Sequence, residues 1–375
     1  MVELSLAFPE EKIVFFGENE HLLCIKKNLE RKHMSLENLV FKPGEIPPHP
    51  LRGIRKYFEY LQYLKDLFVF AQSNHVRRMI FLSVNDYNLR AIKKLLKKTE
   101  IRCTCVVHGI LETLLEKRNS FPRKAMNATK FWEYAAERLF QFKRTFLSDN
   151  HNINYIVLSP VIRQRLISLY PEVQPVVAAL HHPYLFEKAE LFTPFNDRSV
   201  RFGTIGSLFE SKGLRAQERL INDLLPPNES KGKFEIIIIG EVDFSRRYPS
   251  NIRIAASGRR LSREDISRLA REVDYFLFLY PSDSYQLMAS GAYFDTLSYA
   301  KPVIALRNSF ISYYFSLMGN VGFIFDTYEE LLAKVLEIVD TLPSDVLIQQ
   351  RQTILKQRER LTQFNREELS RILSK

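Results

Sequence analysis

Apolar residues along this chain come in short continuous runs, separated by stretches in which they recur at helical spacing. The runs KIVFFG (12–17), RMIFLSV (78–84), IRCTCVVHG (101–109) and NYIVLSP (154–160) are rich in Val, Ile and Phe, and each is followed by a polar or helical stretch. Such runs alternating with helices predict a parallel sheet covered on both faces, because only a strand buried on both sides is apolar at successive positions. The pattern then restarts with RFGTIGS (201–207), FEIIIIGE (234–241), NIRIAAS (251–257), VDYFLFLYPS (273–282) and KPVIALR (301–307). Between the two sets, the segment 181–199 carries Pro183 and Pro194 and follows neither period. The fold class is therefore α/β, with two doubly wound domains: 1–185, then a linker over 186–200, then 201–344, and a helical segment over 345–375. The 375 residues are enough for two domains. Sheets of this kind bind ligands beyond the C-terminal ends of their strands, so two of them facing each other would make one cleft. In the last segment the apolar positions Leu347, Ile354, Leu361 and Leu369 are widely spaced. So narrow a stripe predicts a helix lying across a surface rather than within a core.

Composition narrows the class. The chain is 46% hydrophobic and 26% charged, a soluble globular balance. No run approaches the ~20 apolar residues of a membrane-spanning helix. Residues 1–11 carry acids and no basic region ahead of an apolar core, so they do not read as a signal peptide. Cys24, Cys103 and Cys105 read as buried free thiols of a reducing cytosol, with Cys103 and Cys105 on one face of one strand. No His or Cys cluster completes a metal site. His181 and His182 are adjacent, would point oppositely on a strand, and lack a third ligand.

The net charge of +11 sits mostly in the first half, where residues 1–190 hold 29 Lys and Arg against 20 Asp and Glu. A basic half predicts an anionic partner: phospholipid, a lipid diphosphate or nucleic acid. NLRAIKKLLKK (88–98) puts Leu89, Ile92 and Leu96 on one helical face and Arg90, Lys93, Lys94 and Lys97 opposite. The segment 51–70 interleaves Arg52, Arg55, Lys56 and Lys65 with Tyr57, Phe58, Tyr60 and Tyr63, which suits contact with a membrane surface. An ordinary core-facing helix with a solvated charged face gives the same pattern. Nucleic acid has charge alone in its favour and no binding motif, so none is expected.

Two stretches can carry chemistry. In GTIGSLFESKG (203–213), Gly206 lets the backbone turn tightly at a strand end, a helix start nearby favours anions, and Lys212 adds a positive charge. In PSDSYQLMASGAYFDTLSYAKPVIAL (281–306), Ser290, Gly291 and Ala292 offer backbone amides at a helix start, a phosphate cradle. Asp295, one turn on, can accept from ribose hydroxyls. The plainer reading makes Ser290 a helix N-cap and Asp295 a solvated helix residue.

The stretch from about 201 to 340 resembles the nucleotide-sugar-binding domain of the GT-B-fold retaining glycosyltransferases, the glycosyl transferases group 1. The family's G-R-L-x-x-x-K-G stands here as GSLFESKG (206–213), so its Lys falls on Lys212 and its Arg on Ser207. The strand ending in Gly is EIIIIGE (235–241). The resemblance places Gly258, Arg259 and Arg260 at the nucleobase pocket. Of the family's two Glu separated by seven residues, the second falls on Asp295 and the first on Leu287, while the following KPVIA (301–305) is intact. The loop MASGAYFD (288–295) resembles a subgroup of polysaccharide-assembly transferases, in which Ser290 and Gly291 would hold the diphosphate. In the first half, CVVHG (105–109) resembles the family's strand ending in His, which puts His108 beside the donor sugar. YIVLSPVIRQRL (155–166) resembles the last strand and helix of the N-terminal domain, with Arg163 toward the cleft. The family's Gly-Gly loop is replaced by FGENEH (16–21), leaving Gly17 as the close-approach position.

The resemblance implies two facing Rossmann-like domains and a C-terminal helix, with transfer of a sugar from a nucleoside diphosphate sugar to a glycan or lipid-linked acceptor in surface polysaccharide assembly. His108 and Lys212 would be catalytic; Gly206, Ser207, Lys212, Gly258, Arg259, Arg260, Ser290, Gly291 and Asp295 would bind the donor; Gly17 and Arg163 would lie on the acceptor side. No cofactor and no metal is expected, and the place would be the cytoplasm or the inner membrane face. A non-catalytic partner that binds a glycan or another transferase stays open, because of Ser207 and Leu287. A sugar-nucleotide epimerase shares the fold but needs a set of acids and His around the sugar that this chain does not offer.

Overall fold

The computed structural model describes residues 1–45, 53–115, 141–188, 199–225, 234–242, 249–256 and 261–374. The chain forms two compact units, Met1–Pro183 with Phe364–Lys375, and Tyr184–Gln363. The segment 345–375, read from the sequence as one appended piece, is thus shared between them.

In the first unit, β1 (Ile13–Gly17) and β2 (Leu39–Pro43) form a parallel pair. β3 (Arg78–Phe81), β4 (Arg102–Val107), β5 (Ile153–Val157) and β6 (Val177–Ala179) form a parallel sheet in chain order. The four strands expected here are present. β2 and β6 escape a sequence reading because LVFKP is partly exposed and VAA is too short to show a period. Cys103 and Cys105 point into the core as expected, whereas Cys24 is exposed. The helix Gly53–Ser73 turns Tyr57, Leu61, Leu64 and Phe68 inward and leaves Ile54, Phe58 and Val69 in solvent.

The helix Asp86–Leu96 opens on a capping box between Asn85 and Asn88 and buries Leu89, Ile92 and Leu96, as its spacing demands. Lys93 does not stay on the solvated face. Its Nζ donates to the carbonyl of Thr145 at 2.6 Å and to Asn150 Oδ1 at 2.8 Å, and reaches both the carbonyl and Oγ of Ser148 at 3.2 Å. These acceptors lie at the end of the short helix Phe142–Phe146, where unpaired carbonyls favour a cation. Burial lowers the ammonium pKa to about 8.

The second unit holds one six-stranded parallel sheet: β7 (Val200–Ile205), β8 (Phe234–Ile239), β9 (Ile252–Ile254), β10 (Tyr275–Phe278), β11 (Val303–Leu306) and β12 (Gly322–Phe325). Their spatial order is β12-β11-β10-β7-β8-β9. The chain winds outward from β7 to one edge, returns, and winds outward to the other, so strand order reverses between β7 and β10. Ile236, Ile237, Ile238 and Ile239 are all 1% exposed or less, because both faces of β8 are covered. One face packs Leu220, Ile221 and Leu224 of the helix Leu214–Leu224; the other carries an aromatic cluster of Phe278, Tyr293, Phe294, Phe310 and Tyr314.

The C-terminal helix Ser344–Leu373 departs from its expected role. Its sparse stripe is buried, and it belongs to both cores. Leu347 packs in the core of the second unit, while Leu369 and Ile372 join Leu4, Ile156 and Leu180 in the first. Within the first unit, Asn365 Oδ1 accepts from the backbone N–H of His181 at 2.8 Å, and its Nδ2 donates to the His181 carbonyl at 3.0 Å. One buried amide thus satisfies both polar groups of a peptide just beyond β6. Asn365→Leu leaves two buried backbone groups unpaired and should cost about 2–4 kcal/mol, read as a fall in the urea midpoint; an unchanged midpoint would show that the clamp contributes nothing.

Candidate nucleotide-sugar site

The reversal between β7 and β10 opens a crevice at the C-terminal ends of two strands whose connections leave in opposite directions, the usual ligand position of such sheets. Two glycines shape it. Gly206 follows β7 at φ +90°, and Gly213, which caps the helix Leu214–Leu224, has φ +82°. A Cβ at Gly213 would stand 2.1 Å from the Leu279 carbonyl oxygen, so the turn lies directly on the backbone that leaves β10. The resulting cleft is lined by Gly206, Ser207, Lys212 and Gly213 on one side and by Leu279 and Tyr280 on the other. Lys212 is half-buried, and among the described residues its ammonium has no ion pair or hydrogen bond.

The helix Gly291–Ser298 begins beside this turn: a Cβ on Gly206 would lie 3.8 Å from that of Ala292. Ser290 is its N-cap, its Oγ accepting from the N–H of Tyr293 at 3.2 Å. The plainer reading of Ser290 therefore holds, and the residue is buried. Gly291 faces open space, so its amide is free of any packing demand for glycine. Burial, and then Tyr285, raise the pKa of the Tyr280 phenol well above its usual value, with the Ser290 hydrogen bond opposing the rise.

Asp295 is not a solvated helix residue. Its side chain is 18% exposed, and Oδ1 takes the Tyr184 hydroxyl and, at 3.2 Å, Nη1 of Arg263. Burial and then Asp295 raise the Tyr184 pKa. The Arg263 pKa is also raised: burial acts against this, and the negative partners Tyr184 and Asp295 outweigh it. Neither partner was legible beforehand. Arg263 lies 32 positions from Asp295, and Tyr184 falls in the stretch without a period. Leu287, standing where the resemblance puts an acid, is fully buried. Gly258, Arg259 and Arg260 lie outside the described residues.

In the first unit, His108 follows β4 directly. The residue is exposed, yet the surrounding protein desolvates its ring enough to lower its pKa. It meets His182 edge-on at 6.0 Å. His181 and His182 both have pKa values near 4, through burial first and, for His182, the neighbouring His108. Arg163 donates through Nε to the Val177 carbonyl at 2.8 Å, tying its helix to the first residue of β6. Gly17 is buried against the protein's own Leu22, whose Cδ2 would stand 3.0 Å from an added Cβ. Among the described residues no group of three or more His, Cys, Asp or Glu could hold a metal, and no helix is long and apolar enough to cross a membrane.

No family model and no curated protein matches the sequence. Solved structures match over nearly the whole chain. A glycosyltransferase from Rickettsia africae is 13% identical with a TM-score of 0.60, over 99% of this chain and 93% of that one. HepE from Anabaena, solved in complex with UDP, is 14% identical with a TM-score of 0.58, over 100% and 96%. Sucrose-phosphate synthase from Thermosynechococcus elongatus is 9% identical with a TM-score of 0.58, over 97% and 99%. The chain has the GT-B fold of these glycosyltransferases, with two Rossmann-like units.

Histidines held neutral in the folded state give a signed prediction. An unfolded chain protonates His near 6.5, whereas His181 and His182 resist until about 4. The unfolded state therefore binds more protons between those values, and stability falls as pH drops through that window. His182→Gln removes one such group, so its urea midpoint should fall less than that of the wild type between pH 7 and pH 5. An equal fall would mean that His182 titrates alike folded and unfolded.

Proposed function

We propose that this protein is a glycosyltransferase that moves a sugar from a nucleoside diphosphate sugar to a glycan or lipid-linked acceptor in surface polysaccharide assembly. The observation that carries the reading is Lys212: a half-buried ammonium without a counter-ion among the described residues, set at the strand-order reversal of a Rossmann-like sheet. A cation so placed awaits an anion, because a half-buried charge without a partner is costly. The adjoining helix start at Ser290 and Gly291 would offer backbone amides to the same ligand.

The chemistry follows from where charge develops. As the glycosidic bond to the donor breaks, negative charge grows on the departing diphosphate. Lys212 and the amides at Ser290 and Gly291 stabilise it from fixed positions, which costs no reorganisation during the reaction. Asp295 has both of its protein bonds on Oδ1, leaving Oδ2 to accept from the ribose. The family resemblance assigns the base pocket to Gly258, Arg259 and Arg260, which lie outside the described residues, and a second cation to the position of Ser207. His108 belongs to the sugar and acceptor side with Gly17 and Arg163. One ammonium and a helix start suffice for the leaving group, so the reading requires no metal. Retention of configuration and a hexose donor are carried by the family resemblance. The basic first half, with Ile54, Phe58 and Val69 exposed along one helix, suits the inner membrane face, where a lipid-linked acceptor is found.

A specific observation favours a second reading. Leu287 is wholly buried where the family has a donor-binding acid, which fits a non-catalytic partner that keeps the fold. Titration with UDP and GDP separates the two. HepE is known in complex with both UDP and UDP-glucose, so UDP is the natural first ligand. At ~100 times its dissociation constant, a nucleotide should add roughly 2.7 kcal/mol of stability, seen as a rise in Tm that is lost in Asp295→Ala. With the matching donor sugar, Lys212→Ala should lower turnover about 100- to 1,000-fold. No shift with any nucleoside diphosphate would favour the non-catalytic partner, and near-wild-type turnover in both variants would sink the residue assignment.

A further inference from the structure

We infer that Thr204 and Gln217 form an uncharged receptor for one phosphoryl oxygen of a nucleoside diphosphate, beneath the Gly206–Gly213 turn. The inference rests on reading the second unit as a nucleotide-sugar site, and it adds two binding residues that the family pattern does not supply.

Both residues line the cleft that Lys212 lines, and both are buried, Gln217 at 1% exposure and Thr204 at 6%. Among the described residues neither Gln217 Nε2 nor Thr204 Oγ1 has a hydrogen-bond partner. Folded proteins rarely leave such groups unpaired, and two that line one cleft point to a ligand that would pair them. Gln217 sits in the first turn of the helix Leu214–Leu224. Side chains on a helix lean toward its N-terminus, so the amide leans toward the end where backbone N–H groups lack intrahelical partners and anions are favoured. The cleft is open to solvent on one side, so a ligand's oxygen can reach both groups. A phosphoryl oxygen fits that chemistry, since it accepts from both the amide N–H and the threonine hydroxyl.

The arrangement also answers the departure at Ser207. With Lys212 as the cleft's full positive charge among the described residues, neutral donors supply the hydrogen bonds that a second cation would otherwise make. Their cost falls on the unliganded protein, which holds two desolvated polar groups unsatisfied until the ligand arrives.

Gln217→Leu and Thr204→Val keep the size of each side chain and remove its polar atoms. Each variant of the full chain is titrated with UDP and GDP by calorimetry, and its ligand-free stability is measured in urea. The expected result is a ligand-free stability equal to or above wild type, with nucleoside diphosphate affinity about 10-fold weaker per variant. Gln217→Glu sets a carboxylate against the phosphoryl oxygen and should weaken binding further than Gln217→Leu. Unchanged affinity in all three variants, with ligand-free stability lowered, would mean that the pair holds a resident water; it would overturn the inference and leave the nucleotide site standing. Absence of any nucleoside diphosphate binding to the wild type would overturn the inference and the proposed function together.

Discussion

The candidate site hangs on a backbone contact. Gly213 lies against the carbonyl of Leu279, at a conformation and a distance that no side chain tolerates. That contact presses the turn after β7 onto the chain leaving β10, the two neighbours between which strand order reverses. Lys212 is the residue before it and is carried to the cleft with it. The helix Leu214–Leu224 starts at it, its first amide donating to the Phe209 carbonyl at 3.1 Å. Gly206 contributes by its backbone instead: its φ of +90° turns the chain at the end of β7, beside Ala292. Position and charge at the cleft are thus consequences of two glycines in a parallel sheet.

The C-terminal helix shows how a sparse helix earns a structural role. Its five buried apolar residues, Leu347, Ile354, Leu361, Leu369 and Ile372, could not stabilise it alone in water. They are enough because each enters a core already built by strands and helices, and because Asn365 replaces water for one buried peptide. Lys93 obeys similar logic. Its charge belongs, by pattern, on the solvated face, but the carbonyls at the end of a short helix outbid water for it. Burial still leaves its mark in a lowered pKa.

Two positions depart from the pattern that the resemblance implies. Ser207 thins the positive charge at the turn, and Leu287 turns an acidic position into core. What stands around them is polar all the same: Thr204, Gln217, Ser290 and the Asp295–Arg263–Tyr184 group. A cleft that had lost its ligand would be free to fill with apolar side chains, which pack better and leave no donor unsatisfied.

By itself, the sequence determined the class of the fold. Runs such as EIIIIG can only be strands covered on both faces, and their alternation with helices requires parallel sheets. It also indicated the turn at Gly206 and offered the cap at Ser290 as one of two readings, because these are local: conformation and the nearest backbone partner decide them. Tertiary structure alone decided which residues became partners. Arg263 and Tyr184 meet Asp295 from remote parts of the chain, Gln217 and Thr204 share a cleft from a helix and a strand, and Asn365 reaches back 184 positions to His181. No period encodes such meetings. They depend on the order of strands in a sheet and on which buried polar groups packing leaves to be satisfied, and both are fixed only when the whole chain is folded.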